Sequence, residues 1–374
     1  MKIVIDARLY GASKNRGLGR YVEQLVKNLE KVDHENDYTV LLRQENFDDY
    51  EPQNSRFKKV LADYPWYSFA EQILLPWKLW RMDCDLVHFP HFNVPIFCPR
   101  KFVVTIHDLI MYKFPNDKAT TRNKFFYRTK YWLHKFVIKS AIRKAKKIIV
   151  DCEFTKRDVI REFGVGEDRV RVIYLGFEVG DKGMRDANYT NVLEKYGIKG
   201  QYLLYVGSAY PHKNLETLIN AFDRVKKEHG DLQLVLVGRR DYFYEKLKTR
   251  DVVFTGDVSN GDLAALYRNA LIYVFPSLYE GFGLPGLEAM SYGVPVIAAR
   301  ASCLPEIYGE AALYFEPKSG SDLAGKIGQI LESSDLRENL AARGYDQIKK
   351  YSWESCAVQT KETYAHLRKD EGGV

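Results

Sequence analysis

Apolar positions in this chain fall in short continuous runs, each followed by a longer stretch in which they recur every three or four residues. The runs Lys2–Ile5, Tyr38–Leu42, Leu86–Phe89, Phe102–Ile106, Lys147–Val150 and Arg171–Ile173 are largely unbroken by polar residues. That pattern predicts strands of a parallel sheet covered on both faces. A helical period follows the first run at Tyr21–Leu29. The stretch Glu178–Gln201, rich in Gly, Asp, Asn and Lys, interrupts the alternation. The alternation then restarts, with strands expected at Tyr202–Val206, Gln233–Val237, Val252–Phe254, Ile272–Phe275 and Val296–Ala298. Helical patterns stand between and after them, the last at Trp353–Arg368. Two successive β/α runs predict an α/β protein of two facing, doubly wound, Rossmann-like domains. The expected boundaries are 1–178 and 200–352, with 179–199 as linker.

Composition narrows the class. A chain of 374 residues suits about two domains. With 46% apolar and 28% charged residues, it can bury two cores and is not a disordered chain. No run approaches the length a membrane-spanning helix needs. The first residues read as a strand instead of a secretory signal, so a cytoplasmic protein is expected. The five cysteines show no Cys-x2-Cys pair, which argues against a zinc site or disulfide framework and for thiols in a reducing compartment.

Charge is uneven. Residues 1–180 carry 32 Lys and Arg against 23 Asp and Glu, whereas the rest carries 24 against 26. The excess concentrates in residues 122–147, with ten basic residues, no acid, and Phe, Tyr and Trp interleaved. A basic aromatic helix there suits an anionic membrane surface. The alternative is an amphipathic helix whose aromatics face the core. The apolar segment Trp66–Trp80 lends the surface reading some support. No nucleic-acid module accompanies the patch, and no nucleic-acid partner is expected.

Ligands of doubly wound sheets bind beyond the carboxyl ends of the strands, so residues just after each strand carry the chemistry. Gly17-Leu18-Gly19-Arg20-Tyr21, expected between the first strand and first helix, would let backbone amides approach an anion. Its spacing is not the dinucleotide fingerprint. His107 and Asp108 close the Phe102–Ile106 strand, and His88 and His91 lie at the end of another. A histidine so placed either lines a crevice or is a satisfied core residue. No spacing demands a metal. Tyr210-Pro211-His212-Lys213-Asn214 leads from a strand into a helix that Asn214 can cap. A lysine at that positive helix end suggests an anion between them, and a phosphate fits. Finally, Glu280 and Glu288 stand eight positions apart around Gly281-Phe282-Gly283-Leu284. Glycine-freed amides there suit a phosphate, and the carboxylates suit sugar hydroxyls.

Together these residues resemble the retaining glycosyltransferases of family 4, which have the GT-B fold. The resemblance spans nearly the whole chain. It is carried by Glu280…Glu288 as the E-x7-E pattern, with Gly17–Tyr21, His107-Asp108, Lys213 and Ala301-Ser302-Cys303-Leu304-Pro305-Glu306 in register. It implies that Glu280 binds the donor sugar, Glu288 the donor ribose, and Lys213 the diphosphate, with amides of Gly17, Gly19, Phe282, Gly283 and Leu284 assisting. His107 would lie near the transferred sugar, with His88, His91 and Asp108 on the acceptor side. The loop at Asp257 would border the base. The family often has Arg where His212 stands, and Arg239 or Arg240 would then compensate. The helix Trp353–Arg368 would return to the first domain.

The implied reaction is metal-independent, retaining transfer of a hexose from a nucleoside diphosphate sugar to a hydroxyl of a glycan or lipid-linked acceptor. Mannose from GDP-mannose is the first expectation, since similar sequences resemble mannosyltransferases of surface polysaccharide assembly. A UDP-sugar, glucosyl transfer included, is the alternative donor. A nucleotide-sugar epimerase of similar architecture and a surface-binding scaffold are the rival classes. No cofactor is expected, and the protein would sit in the cytoplasm, peripheral on the inner face of the plasma membrane.

Overall fold

In the computed structural model, which describes residues 1–114, 124–177, 189–247 and 252–369, the continuous apolar runs become strands of two wholly parallel sheets. The chain divides into two units, Met1–Gly176 with Ser352–Val374, and Phe177–Tyr351.

The first unit runs β1 (Lys2–Asp6), α1 (Ala12–Val32), β2 (Asp37–Leu42), β3 (Phe57–Leu61), α2 (Phe69–Arg81), β4 (Leu86–Phe89), β5 (Phe102–Ile106), α3 (Ile110–Lys113), α4 (Lys124–Lys144), β6 (Lys147–Val150), α5 (Glu153–Phe163) and β7 (Val170–Val172). The sheet order is β3-β2-β1-β4-β5-β6-β7, so the direction of winding reverses between β1 and β4. That reversal opens a crevice beyond their carboxyl ends. β4 and β5 are buried along their whole length, because helices cover both faces. β3 escapes the pattern because Lys58 and Lys59 break its apolar run. It is an edge strand, where lysines discourage pairing with other chains.

The second unit runs α6 (Tyr189–Lys195), β8 (Tyr202–Val206), α7 (Leu215–Val225), β9 (Gln233–Val237), α8 (Tyr242–Glu245), β10 (Val252–Gly256), α9 (Asn260–Asn269), β11 (Ile272–Phe275), α10 (Leu284–Ser291), β12 (Val296–Ala299), α11 (Leu304–Tyr308), β13 (Ala312–Phe315), α12 (Gly320–Glu332) and α13 (Ser334–Ile348). Its order is β10-β9-β8-β11-β12-β13, with the reversal between β8 and β11. Of the expected linker, residues 179–188 lie outside the described residues. The rest includes α6, which is fixed to α9 by Lys195 Nζ and Tyr196 OH, each 2.7 Å from Asp262 Oδ2.

The last helix, α14 (Trp353–Lys369), packs within the first unit. Tyr364 OH reaches His88 Nδ1 at 2.6 Å, Arg171 pairs with Glu362 at 2.6 Å, and Lys361 with Glu35 at 3.0 Å. Gly176 has no room for a side chain, since a Cβ would lie 2.2 Å from the Trp353 nitrogen.

α1 differs from expectation. It begins at Ala12, nine residues before Tyr21, so Gly17 and Gly19 lie inside the helix and not in a loop ahead of it. Their amides fall in the i to i−4 ladder, past the first turn where N–H groups are free. Neither amide is placed to meet a phosphate.

Candidate active site

In the second unit, Lys213 and Glu280 converge at the reversal between β8 and β11. Lys213 closes a single 3-10 turn, Pro211–Lys213, after β8. Glu280 lies in the loop after β11. Lys213 Nζ donates to Glu280 Oε1 at 2.6 Å, and the side chains retain 17% and 10% exposure. Glu280 is therefore buried and Lys213 partly so.

Both loops are held rigidly. The Glu280 N–H donates to Ser302 Oγ at 3.1 Å, and Cys303 Sγ–H to the Glu280 carbonyl at 3.3 Å. Leu278 N–H donates to the His212 carbonyl at 2.8 Å, which ties the two loops together. Asn214 does not cap α7 with its side chain as expected. Its Nδ2 instead donates to the carbonyls of Pro276 and Pro317, at 3.0 and 2.6 Å. Asn214 and Ser302 both have positive φ, at 58° and 51°. A non-glycine residue pays about 1–3 kcal/mol for such a conformation, and it persists only where surrounding bonds over-determine it.

α10 begins at Gly283, whose φ is 92°. Tyr308 OH donates to the Gly283 carbonyl at 2.5 Å, and a Cβ on Gly286 would lie 2.3 Å from the same hydroxyl. The glycines thus admit Tyr308, which fixes the start of the helix. The N–H groups of Gly283 and Leu284 precede the helical ladder and favour an anion. Phe282 buries its ring against Tyr351 and could offer only its backbone. Glu288 lies one turn into α10, and its Oε2 accepts from Tyr267 OH at 3.2 Å.

His212 is buried, and burial together with the Lys213 charge pushes it down to about 4. It adds no positive charge at neutral pH. Arg239 follows β9 and is exposed. A Cβ on its neighbour Gly238 would lie 2.0 Å from the Gly207 carbonyl, so the turns after β8 and β9 touch. Arg239 thereby follows the point where the β9 turn meets Gly207, six residues before Lys213. Arg240 turns over the Phe254 ring instead. Asp257 is exposed just after β10.

The first unit treats its polar groups differently. His107 follows β5, but neither ring nitrogen is open: Nδ1 lies 2.7 Å from Asp151 Oδ2 and Nε2 3.0 Å from the Pro90 carbonyl. Burial alone would lower its pKa. The Asp151 charge and hydrogen bond, with the Pro90 carbonyl, outweigh burial and raise it. His88 cannot meet an acceptor in this structure. It is wholly buried, with Nε2 on Thr105 Oγ1 at 2.9 Å and Nδ1 on Tyr364 OH, and burial holds it down to about 3. His91 is half-buried and accepts the Asn93 N–H at 3.4 Å. Asp108 Oδ1 accepts from Ile110 N–H at 2.8 Å, which starts α3.

The sequence reading passed over two groups. Asp151 follows β6, and Asp6 ends β1, where it grips Arg8 through Oδ1–Nε at 2.7 Å and Oδ2–Nη2 at 2.8 Å. Arg8 also reaches Glu71 Oε1 at 2.8 Å, which accepts from Asn93 Nδ2 at 2.7 Å. The rule that picked out His107, a polar residue closing an apolar strand, picks out both aspartates. Among the described residues, no three His, Cys, Asp or Glu side chains group as metal ligands.

Comparison with known proteins agrees with this geometry. The family model for glycosyl transferases group 1 matches residues 190–347, and that for glycosyltransferase family 4 matches residues 15–180. The O-antigen chain mannosyltransferase B of Escherichia coli is 32% identical over 376 residues, covering 94% of this chain and 96% of its own. The O-antigen chain mannosyltransferase RfbU of Salmonella typhimurium is 27% identical over 298 residues, covering 76% and 77%. A sucrose-phosphate synthase from Thermosynechococcus elongatus superposes with a TM-score of 0.72 at 20% identity, over 99% of this chain and 100% of its own. With two parallel-sheet units, a lysine–glutamate pair at the reversal of the second, and a near full-length relative above 30% identity, this chain belongs to the family 4 glycosyltransferases of GT-B fold.

Proposed function

We propose that this glycosyltransferase moves mannose from GDP-mannose to a hydroxyl of a glycan or lipid-linked acceptor in polysaccharide assembly, with retention and without a metal. It would work in the cytoplasm, at the inner face of the plasma membrane. The Lys213–Glu280 pair carries the reading. A cation and a carboxylate 2.6 Å apart, beside free amides at the start of α10, suit a ligand that is anionic at one end and hydroxylated at the other. The O-antigen mannosyltransferase relatives support mannose.

On donor binding, Lys213 Nζ would leave Glu280 for the diphosphate, and Glu280 would accept from sugar hydroxyls. Lys213, Arg239 and the amides of Gly283 and Leu284 stabilise the charge that develops on the leaving diphosphate. Glu288 holds the ribose, and Asp257 borders the base. The bond from the anomeric carbon to the diphosphate oxygen breaks as the acceptor oxygen bonds to the same face. The acceptor proton passes to the departing phosphate oxygen. His107 would join on the acceptor side only by exchanging its Pro90 bond for a sugar hydroxyl.

The test is thermal unfolding with GDP, GDP-mannose, UDP and UDP-glucose, in the presence of a chelator. A ligand at about a hundred times its dissociation constant adds about 2.7 kcal/mol. Stabilisation by the guanosine ligands, followed by mannosyl transfer to an acceptor, is the expected result. A shift with the uridine ligands alone replaces the donor. Conversion of nucleotide sugar without any acceptor makes the protein an epimerase, and no shift at all removes the transferase site.

A further inference from the structure

Helix α2 is apolar on two sides but covered on one. Leu75 and Leu79 point into the first unit's core, with Glu71 buried beside them. Phe69, Ile73, Trp77 and Trp80 are exposed, Phe69 at 88% and Trp80 at 65%. Their spacing of four, four and three places them on one ridge along the outer side of the helix. The described part of α4 repeats the arrangement. Ile138, Ala141 and Ile142 are buried, whereas Trp132, Leu133 and Phe136 are exposed. This differs from an amphipathic helix that turns its aromatics to the core.

The two helices belong to one surface. His134 of α4 packs against Tyr67, just before α2, with ring centroids 5.8 Å apart. At the other end, Lys144 Nζ donates to the Ile96 carbonyl at 2.7 Å and lies over the exposed ring of Phe97. Arg100, from the same loop, donates to the carbonyls of Leu79 and Trp80 at 3.1 and 2.9 Å. α2, this loop and α4 are therefore bonded neighbours.

Neither helix carries an exposed acid. Glu71 is the one acid in α2, α4 has none, and Glu71 is buried against Arg8. Lys78 and Arg81 of α2, and Lys135, Lys139 and Arg143 of α4, border the apolar ridge. Arg81 lies 4.8 Å over the Trp77 ring.

We propose that α2 and α4 together form a docking face for an anionic lipid surface, with the α2 ridge as the inserted part. Tryptophan and phenylalanine beside lysine and arginine, with no exposed acid in either helix, match the boundary between acyl chains and anionic headgroups. A second copy of the chain is a poor occupant. A two-fold contact would set the same basic rim against itself, which is repulsive. The inference does not depend on the donor sugar or on the transferase site, and of the basic residues in 122–147 it uses Lys135, Lys139 and Arg143, residues 122 and 123 lying outside the described residues.

The experiment is co-sedimentation of the full chain with vesicles of phosphatidylcholine plus phosphatidylglycerol, against phosphatidylcholine alone. Tryptophan emission is read in parallel. The expected result is binding to the anionic vesicles only, with blue-shifted emission quenched by brominated acyl chains. A Phe69→Ser, Trp77→Ser, Trp80→Ser variant is expected to lose about a hundredfold or more in partition. Lys139→Glu with Arg143→Glu is expected to lose about tenfold at low salt, and less as salt screens the surface. All five side chains are exposed, and an unchanged unfolding curve shows that each variant folds. No binding to anionic vesicles overturns the proposal, as does equal binding by the serine variant. A dimer that the serine variant dissolves also overturns it, in favour of a contact between copies.

Discussion

The two units share an architecture and use it in opposite ways. Each is a parallel sheet whose winding reverses once, and each gathers charged side chains beyond the strand ends at that reversal. In the first unit those charges are spent internally: Arg8 is fully buried between Asp6 and Glu71, and both ring nitrogens of His107, at 12% exposure, are held by Asp151 and Pro90. In the second unit Lys213 Nζ pairs with Glu280 and lies 6.0 Å from the Phe275 ring centroid, on loops fixed from behind by Ser302, Cys303, Asn214 and Tyr308. A buried, fully bonded charge resists exchange. The Lys213–Glu280 pair, at 17% and 10% exposure, is a single bond and not a network, so a ligand that offers an anion to the lysine and hydroxyls to the carboxylate has one bond to replace. The same fold thus carries a closed charge network in one unit and, in the other, the lysine–glutamate pair on which the proposed donor site rests.

The sharpest way to break that contrast is to delete one charge from each unit and read both activity and stability. Arg8→Ala leaves Asp6 and Glu71 buried without a counterion, which costs about 3–5 kcal/mol. That is a large share of the roughly 5–15 kcal/mol a protein has, so little folded protein should accumulate. Glu280→Ala should instead unfold close to the parent temperature while turnover falls about 10²–10³-fold. If Glu280→Ala loses stability and keeps its turnover, the assignment of roles is reversed.

The next effect is on pH. In the folded protein His88, His91 and His212 are held down to about 3, 3 and 4 by burial and neighbouring positive charge. Each takes up a proton on unfolding once pH drops below about 6.5. Stability should therefore fall as pH falls from there. His107 has the opposite sign. Its raised value contributes stability that is complete below about 6.5 and lost as pH rises through the folded value. Asp151→Asn should remove the alkaline loss and leave the acid loss in place. Unfolding temperatures from about pH 5 to about pH 8 read both limbs. A variant with an unaltered alkaline limb would show that Asp151 does not hold the proton on His107.

Much of this was legible in the chain, and the exceptions have physical causes. β4, β5, β6, β8, β9 and β11 stand where their apolar runs lie, since a strand buried on both faces needs an unbroken run. An edge strand needs none, so β3 with Lys58 and Lys59 gave no signal, whereas β13, the apolar run Ala312–Phe315, carried one that the sequence reading passed over. Glu280 and Lys213 were visible because they follow strands. The first turns of α1 were not, because Gly17 and Gly19 read as a turn and a helix interior tolerates them at a cost of about 1 kcal/mol each. His88 and His107 show the limit of the strand-end rule. It finds where a polar group lies but not whether the protein already satisfies it, which depends on Tyr364 and Asp151, 276 and 44 residues away.

The smallest expected effect concerns the second carboxylate. Glu288 sits in a helix, not a loop, and Tyr267 OH holds its Oε2 at 3.2 Å while also reaching the Pro285 carbonyl at 3.3 Å. Tyr267 is buried, so Tyr267→Phe removes one hydroxyl and about 1 kcal/mol of net hydrogen bonding. If Glu288 binds the donor ribose, its orientation is what the hydroxyl supplies. The variant should then raise the KM for the nucleotide sugar several-fold and leave kcat nearly unchanged, since the ribose stays bound from ground state to transition state. A drop in kcat with constant KM would place Glu288 on the reacting sugar. The boundary between exchangeable and spent charges in the second unit would then extend from the Glu280 loop into α10 itself.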